Sequence, residues 1–203
     1  MDRKRVGILV FDDIEVLDFC GPFEVFSATR INEANRWQEE SPFEVLLVAQ
    51  KPGPCIASGG LAVLPHHTFQ DCPRLDVLVV PGGRGTRREV ENTVLLDWLR
   101  ERGAETARLT SVCTGSMLLG FAGLLDGRRA TIHRHSVDWM RDSFPAVQVE
   151  EGKRFVQDGH VYTSAGISTG IDMALGVVAS YFGEDVARCT ARHMEYAYPD
   201  SRP

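Results

Sequence analysis

The sequence predicts an α/β fold, a single-domain three-layer α/β/α sandwich around a mostly parallel sheet. Three observations carry the prediction. Short runs of β-branched and apolar residues alternate with longer stretches of helical periodicity, the order that sets parallel strands side by side with helices on both faces. Runs such as DVLVVP at 76–81 are apolar without alternation, as strands covered on both faces are. In RLTSVCTGSMLLGFAGLL, from Arg108, an apolar strand runs into a cysteine and a helix begins almost at once.

The elements follow in order. The start MDRKRVGILVFDD superficially copies a secretory leader, but its apolar run at 6–11 is stopped by Asp12 and Asp13 and no small-residue cleavage site follows, so it reads as a first buried strand. Further strands are expected at 43–49, 77–80, 108–112 and 160–164. Helices are expected at 14–32, 89–102, 114–122, 136–144, 167–182 and 185–194. In the second, Val90, Val94, Leu95, Trp98 and Leu99 recur at spacings of three and four and make one apolar face. Gly21-Pro22 is expected to interrupt or bend the first. Gly59-Gly60 and the stretch 66–73, with His66 and His67, read as loop or short strand.

At 203 residues with 43% hydrophobic content, 25% charge and 19 glycines, the chain is long enough for one sizeable core and is neither disordered nor fibrous. Without a repeat, low-complexity run or charge block, residues 1–203 are read as one domain. The formal charge is −6, and Arg84, Arg87, Arg88, Arg128 and Arg129 are too few and scattered for a polyanion-binding stripe, so no nucleic-acid partner is expected. No stretch has the length of a membrane span. Five cysteines, at 20, 55, 72, 113 and 189, lack CxxC spacing, which favours neither a disulfide framework nor a zinc knuckle and points to a reducing cytoplasm.

The chemistry is expected at Cys113. Small residues two before and two after it, Ser111 and Gly115, match the small-x-nucleophile-x-small spacing of a nucleophile elbow. The turn there is so sharp that bulky neighbours would collide, and the nucleophile is forced into a strained conformation. The helix that follows is expected to favour a thiolate near neutral pH. Cys20, Cys55, Cys72 and Cys189 lack that context and read as small buried hydrophobes.

Two further segments point to the same place. VLVVPGGRGT ends a strand in Pro81-Gly82-Gly83, where backbone N–H groups can approach a substrate, so Gly83 and Thr114 are expected to form an oxyanion hole. In FDDIEVLDFCGPFEVF, Asp18 lies near an apolar helix start; against the cysteine in a half-buried pocket its pKa would rise until it carried a proton at neutral pH. Glu15, three residues earlier, is a further candidate.

VLDFCGPFEVF, DVLVVPGG, TSVCTGSMLLGFAGLLDGRRATIH and TSAGISTGIDMAL, in this order, resemble the ThiJ/PfpI group of the class I glutamine-amidotransferase-like superfamily. The resemblance covers nearly the whole chain and implies a flavodoxin-like sandwich. Within the group, the LD-x-x-GP segment with Asp18, the pair Cys113-Thr114 and the closing MEYAYP are most similar to the isonitrile hydratase branch, lyases that add water to R–NC. The resemblance implies Cys113 as nucleophile, Asp18 as acid and base, Thr114 as the neighbour whose amide holds the adduct, no cofactor, a small-molecule substrate and a homodimer with the helix around Phe19 to Phe26 as a natural contact. The same segments resemble the sensor half of AraC-type regulators, which continue into a DNA-binding domain; since this chain stops at Pro203, a stand-alone enzyme is expected. A glyoxalase- or amidase-type cysteine enzyme and a non-enzymatic ligand or oxidation sensor are the alternatives.

Where such proteins often read Thr-His-Trp, this chain has Ile132, His133 and Arg134. His133 is expected near Cys113 as an orienting partner or base. With His135 it makes no metal site, since neither HExxH nor a carboxylate cluster completes one. Asp172 reads as structural rather than as a triad member. Phe19, Phe23, Ile132 and Ile167 fit either an apolar pocket wall or ordinary core.

Overall fold

A computed structural model describes residues 2–198. Seven strands form the central sheet. They are β1 (Lys4–Leu9), β2 (Phe43–Ala49), β5 (His67–Thr68), β6 (Val77–Val80), β7 (Arg108–Val112), β10 (Phe155–Asp158) and β11 (Val161–Ser164), in the order β10-β11-β7-β6-β1-β2-β5. All neighbours run parallel except β10 and β11. Two small ribbons lie outside the sheet: β3 (Cys55–Ile56) with β4 (Ala62–Val63), and β8 (Arg129–Ala130) with β9 (Gln148–Val149).

The helices divide into two layers. On one face α1 (Val16–Ala28), α6 (Thr169–Phe182) and α7 (Glu184–His193) pack on one another; on the other, α2 (Thr86–Glu89) and α3 (Thr93–Glu105) both touch α4 (Gly115–Phe121). A seventh helix, α5 (Val137–Ser143), packs beside β9. The sheet explains the layering, because all four residues of VLVV in β6 are buried and need cover on both sides. On α6, Met173, Leu175, Val177 and Val178 are fully buried, each contributing roughly 1.5–3 kcal/mol. No described helix is long and apolar enough to cross a membrane.

Several expected elements change on folding. The helix expected at 14–32 is α1 alone, and it runs through Pro22; the proline removes one backbone donor there, but buried Phe19, Val25 and Phe26 on either side hold the helix down. The helix expected at 89–102 is two, α2 and α3, separated at Asn92, whose side chain accepts from Leu95 N–H as a cap. Val94, placed in the first turn of α3, is 55% exposed and leaves the apolar face to Leu95, Trp98 and Leu99. The stretch 66–73 is loop and short strand, as expected: His66 Nδ1 accepts from Leu47 N–H at 2.8 Å at the sheet edge, and His67 lies in β5.

Candidate active site

Strands β2 and β5 add to one side of β1 and strands β6, β7 and β11 to the other, so the direction of addition reverses between β1 and β6. In parallel sheets the crevice at the carboxyl ends of such a pair is the usual place for chemistry. Here the loops leaving the two strands are stitched together: Ile14 bridges Gly83, Glu15 N–H donates to Gly82 O at 2.9 Å, and Gly85 N–H donates to Asp13 O at 3.1 Å. That stitching brings the start of α1, which carries Asp18, to the end of β7, which carries Cys113.

Cys113 has φ +56°, in the left-handed region that a non-glycine residue avoids, a conformation costing about 1–3 kcal/mol. The strained elbow expected from the sequence is present. Two glycines permit it. A Cβ on Gly115 would collide with the Val80 carbonyl, and one on Gly166, itself at φ +67°, would collide with Cys113. From below, Cys113 N–H donates to Ser164 O at 3.0 Å. The side chain is buried, with 7% of its surface exposed.

Asp18 is fully buried. Its Oδ2 accepts from Gly82 N–H at 3.0 Å, while Oδ1 has no hydrogen-bond partner among the described residues. Its titration is coupled to the Cys113 thiol beside it. Burial pushes the Asp18 carboxyl up to about 7; the Gly82 N–H opposes that, the Glu15 charge adds to it, and the Cys113 thiol opposes it. The cysteine departs from expectation. Helix α4 is only seven residues long, and burial followed by the Asp18 charge pushes the thiol up to about 12, against which the N–H and hydroxyl of Thr114 pull. Burial and the Asp18 charge thus hold Cys113 toward the thiol form, and the two neighbours titrate as a pair.

The expected oxyanion hole is also rearranged. Gly83 N–H donates to Thr114 Oγ1 at 3.0 Å and Gly82 N–H is engaged by Asp18, so neither is free above the sulfur. Thr114, next to Cys113, pulls the thiol down through its amide and hydroxyl, and the hydroxyl donates to Gly83 O at 3.3 Å. Glu15, the residue before α1, accepts from Ser58 Oγ at 3.4 Å and acts on Asp18 through its charge. His133 does not join this group in any described contact. Its Nδ1 accepts from His135 N–H at 3.4 Å and its ring faces His135 at 5.2 Å.

Asp172 is structural, as expected: Arg154 and the Tyr196 hydroxyl both bind its Oδ2. Tyr196 belongs to the closing MEYAYP, whose last residue, Pro199, lies outside the described residues. Of the four apolar wall candidates, Phe19 and Ile132 are core, Phe23 is half-buried and Ile167 is 39% exposed. Of the stretch Phe19 to Phe26 expected as a dimer contact, Phe19 and Phe26 lie inside the chain's own core and Phe23 is half-buried. The sequence left Thr86, Gly82 and Gly166 without roles. Only Gly82, beside the glycine that was chosen, carried a readable signal.

The chain is similar to known proteins of one family. Residues 4–180 match the DJ-1/PfpI family. The chain is 38% identical over 193 residues to isonitrile hydratase of Pseudomonas putida, covering 95% of this chain and 78% of that protein. It is 31% identical over 193 residues to the HTH-type transcriptional regulator GbdR of Pseudomonas aeruginosa, again covering 95% of this chain but only 51% of the regulator. A crystal structure of a ThiJ/PfpI family protein from Pseudomonas syringae superposes with a TM-score of 0.85 at 34% identity, covering 100% of this chain and 78% of that one.

Proposed function

We propose that this chain, which belongs to the DJ-1/PfpI family and is a cysteine-dependent enzyme of that kind, adds water to an isonitrile, R–NC, to give the N-substituted formamide. The observation that carries the reading is the buried pair of Asp18 and Cys113, a carboxyl beside a thiol with no cation among the described residues acting on either. The identity to the Pseudomonas putida isonitrile hydratase supports it.

The terminal carbon of an isonitrile needs both a nucleophile and a proton, and the pair supplies both. Asp18 carboxylate takes the thiol proton as Sγ bonds to the carbon, and the same proton passes to that carbon, leaving a thioimidate, R–N=CH–S–Cys113. Water then adds to the CH carbon, with Asp18 moving a proton from the water to nitrogen. The C–S bond breaks, the proton of the new hydroxyl returns to the cysteine, and R–NH–CHO leaves. No net proton is consumed, so one acid and base suffices. Thr114 N–H and hydroxyl steady the sulfur as it takes and gives up charge.

The test is loss of the isonitrile infrared stretch over a panel of alkyl and aryl isonitriles. Wild type is expected to consume the stretch, and Cys113→Ala to lose at least about a thousandfold in rate. Turnover surviving in Cys113→Ala would sink the covalent scheme, and no turnover by wild type would sink the hydratase reading. The likeness to GbdR favours, second, a ligand-sensing module; binding of a small molecule without turnover is its signature. We further infer a homodimer in a reducing cytoplasm; five free cysteines support the compartment.

A further inference from the structure

We propose that Ser111 and Ser116 are positioning residues for the nucleophile: a directed row of buried hydrogen bonds, from Ser111 to Ser116 to the Thr131 carbonyl, ties the strand before Cys113 to the helix after it and so holds the cysteine in its left-handed turn. Ser111 lies two residues before Cys113 on β7, and Ser116 lies three residues after it in the first turn of α4. Both are fully buried. Their hydroxyls are 2.8 Å apart, and Ser116 Oγ donates to Thr131 O at 2.9 Å. The sharp turn requires only that residue 111 be small, which alanine would satisfy. The hydroxyl is a separate feature, and a buried hydroxyl destabilises unless it is bonded.

The direction of the row follows from each hydroxyl having one hydrogen. A carbonyl can only accept, so the hydrogen of Ser116 is committed to Thr131 O, and the hydrogen between the two serines is the one on Ser111. Among the described residues, Ser111 Oγ has no other hydrogen-bond partner and Thr131 O no other donor. An asymmetry results. Ser111→Ala unties the strand from the helix and strands no polar group, because Ser116 still donates to Thr131 O. Ser116→Ala unties them too, and it leaves both Ser111 Oγ and Thr131 O buried without a partner, the more destabilising kind of loss.

A left-handed cysteine persists only where its surroundings over-determine it. On the side of β11, Ser164 O accepts from Cys113 N–H at 3.0 Å and Ser164 Oγ donates to Ser111 O at 3.2 Å. Those bonds fix the strand as far as the cysteine. Among the described side-chain hydrogen bonds, Ser111 to Ser116 is the one that runs from β7 to α4 across it. Beyond Ser116 the row returns to the sheet: Thr131 N–H donates to Thr163 Oγ1 at 2.8 Å, and Thr163 lies on β11 opposite Ser111 itself. The nucleophile therefore sits on a closed ring of buried bonds. The inference rests on Cys113 being the nucleophile, and its test reads the thiol directly, with no isonitrile present, so its failure and that of the hydratase reading are distinguishable.

The experiment compares the alkylation of Cys113 and of Cys72 by iodoacetamide at pH 8, each followed at its own residue by tandem mass spectrometry. Cys72 is also free, is as buried as Cys113 at 7% exposed, and lies between β5 and β6, so it reports opening elsewhere in the fold. Ser111→Ala is expected to raise the Cys113 rate relative to Cys72 roughly three- to tenfold, the factor by which losing one hydrogen bond raises a locally open population. Its melting temperature should fall by no more than about 4 °C. Ser116→Ala is expected to raise the ratio at least as far and to melt lower. Adding Ser111→Ala to Ser116→Ala removes the stranded hydroxyl, so the double variant should melt about 2 °C or more above Ser116→Ala while its Cys113 rate stays high. Stability then recovers and the cysteine stays loose, a separation that a merely structural role would not produce. A Ser111→Ala ratio equal to wild type, a double variant that melts below Ser116→Ala, or a Cys113 rate that returns to wild type as stability returns overturns the proposal. If Ser116→Ala fails to fold by circular dichroism, Ser111→Ala, which strands no polar group, decides alone by the same ratio.

Discussion

Two buried aspartates sit in this molecule under opposite conditions. Asp172, on α6, is 2% exposed, and its Oδ2 takes a guanidinium from Arg154 and the hydroxyl of Tyr196, tying the helix to the loop before β10 and to the C-terminal segment. Asp18, on α1, is fully buried and has one backbone N–H, a thiol for a neighbour and, among the described residues, no cation. Burial is the same; the partner differs. A carboxylate given an arginine and a hydroxyl is held in place, and it contributes to the fold. One left without a cation must share or exchange its proton, which is a cost to the fold and a means of chemistry.

The largest separation is expected between Asp18→Asn and Asp172→Asn in turnover. Asp18→Asn should lose roughly a hundred- to ten-thousandfold in kcat/KM, the usual range for a removed acid and base. Asp172→Asn should stay within about twofold per folded molecule, because the described side-chain hydrogen bonds of Arg154 and Tyr196 go to Asp172 and to each other, not to Cys113, Asp18 or Thr114. Equal losses in the two variants would mean that Asp18 also serves chiefly to hold the chain together.

In stability the order reverses. The Asp18 carboxyl is raised from 3.8 to about 7, so between those values the folded chain keeps a proton that the unfolded chain gives up. The Asp18 contribution to stability therefore falls as pH rises through that window and is flat above it. Asp18→Asn removes this loss, and at pH 8 it should be more stable than wild type by up to about 4 kcal/mol, the gap closing near pH 4. Asp172→Asn is expected to lose about 1–2 kcal/mol, a modest figure because the Arg154 side chain is half-exposed and stays hydrated. Chemical denaturation at pH 4 and pH 8 reads both, and an Asp18→Asn curve parallel to wild type at the two pH values would contradict the shared-proton account.

The contrast between the two sites also marks what could be read from the sequence. The α/β layering, the strands at 43–49, 77–80 and 108–112 and the elbow at Cys113 were legible, because continuous apolar runs and a strand-turn-helix junction are local signals. Strand β10 was not read, although Asp158-Gly159 before an apolar run is a hairpin signal, with Gly159 at φ +62°. The protonation of the site was read by halves. Asp18 rises as burial against a cysteine requires, but a sequence cannot show that α4 ends after seven residues or that Asp18 presses its charge on the thiol, and the resting thiolate expected at Cys113 is absent. Likewise Gly83 was right as a neighbour and wrong as a free donor, since its N–H goes to Thr114 across 31 residues of chain. Pairings between loops are set by packing, and no spacing announces them.

The smallest expected effect sharpens the comparison most, because it concerns what surrounds Asp18 and not Asp18 itself. Where Asp172 has a cation, Asp18 has a second acid: Glu15, half-buried at the head of α1, raises the Asp18 carboxyl further through its charge. Activity requires the pair in its one-proton state, so kcat/KM should rise through about pH 7 and hold well into the alkaline range. Glu15→Gln keeps an oxygen for Ser58 and removes the charge, and it should move that rise to lower pH by a few tenths of a unit, more at low ionic strength than at high. The direction is the informative part, since replacing an ordinary helix-terminal acid would leave the profile where it was. A profile that does not move even at low salt would reduce Glu15 to its bond with Ser58, and burial alone would then account for how Asp18 differs from Asp172.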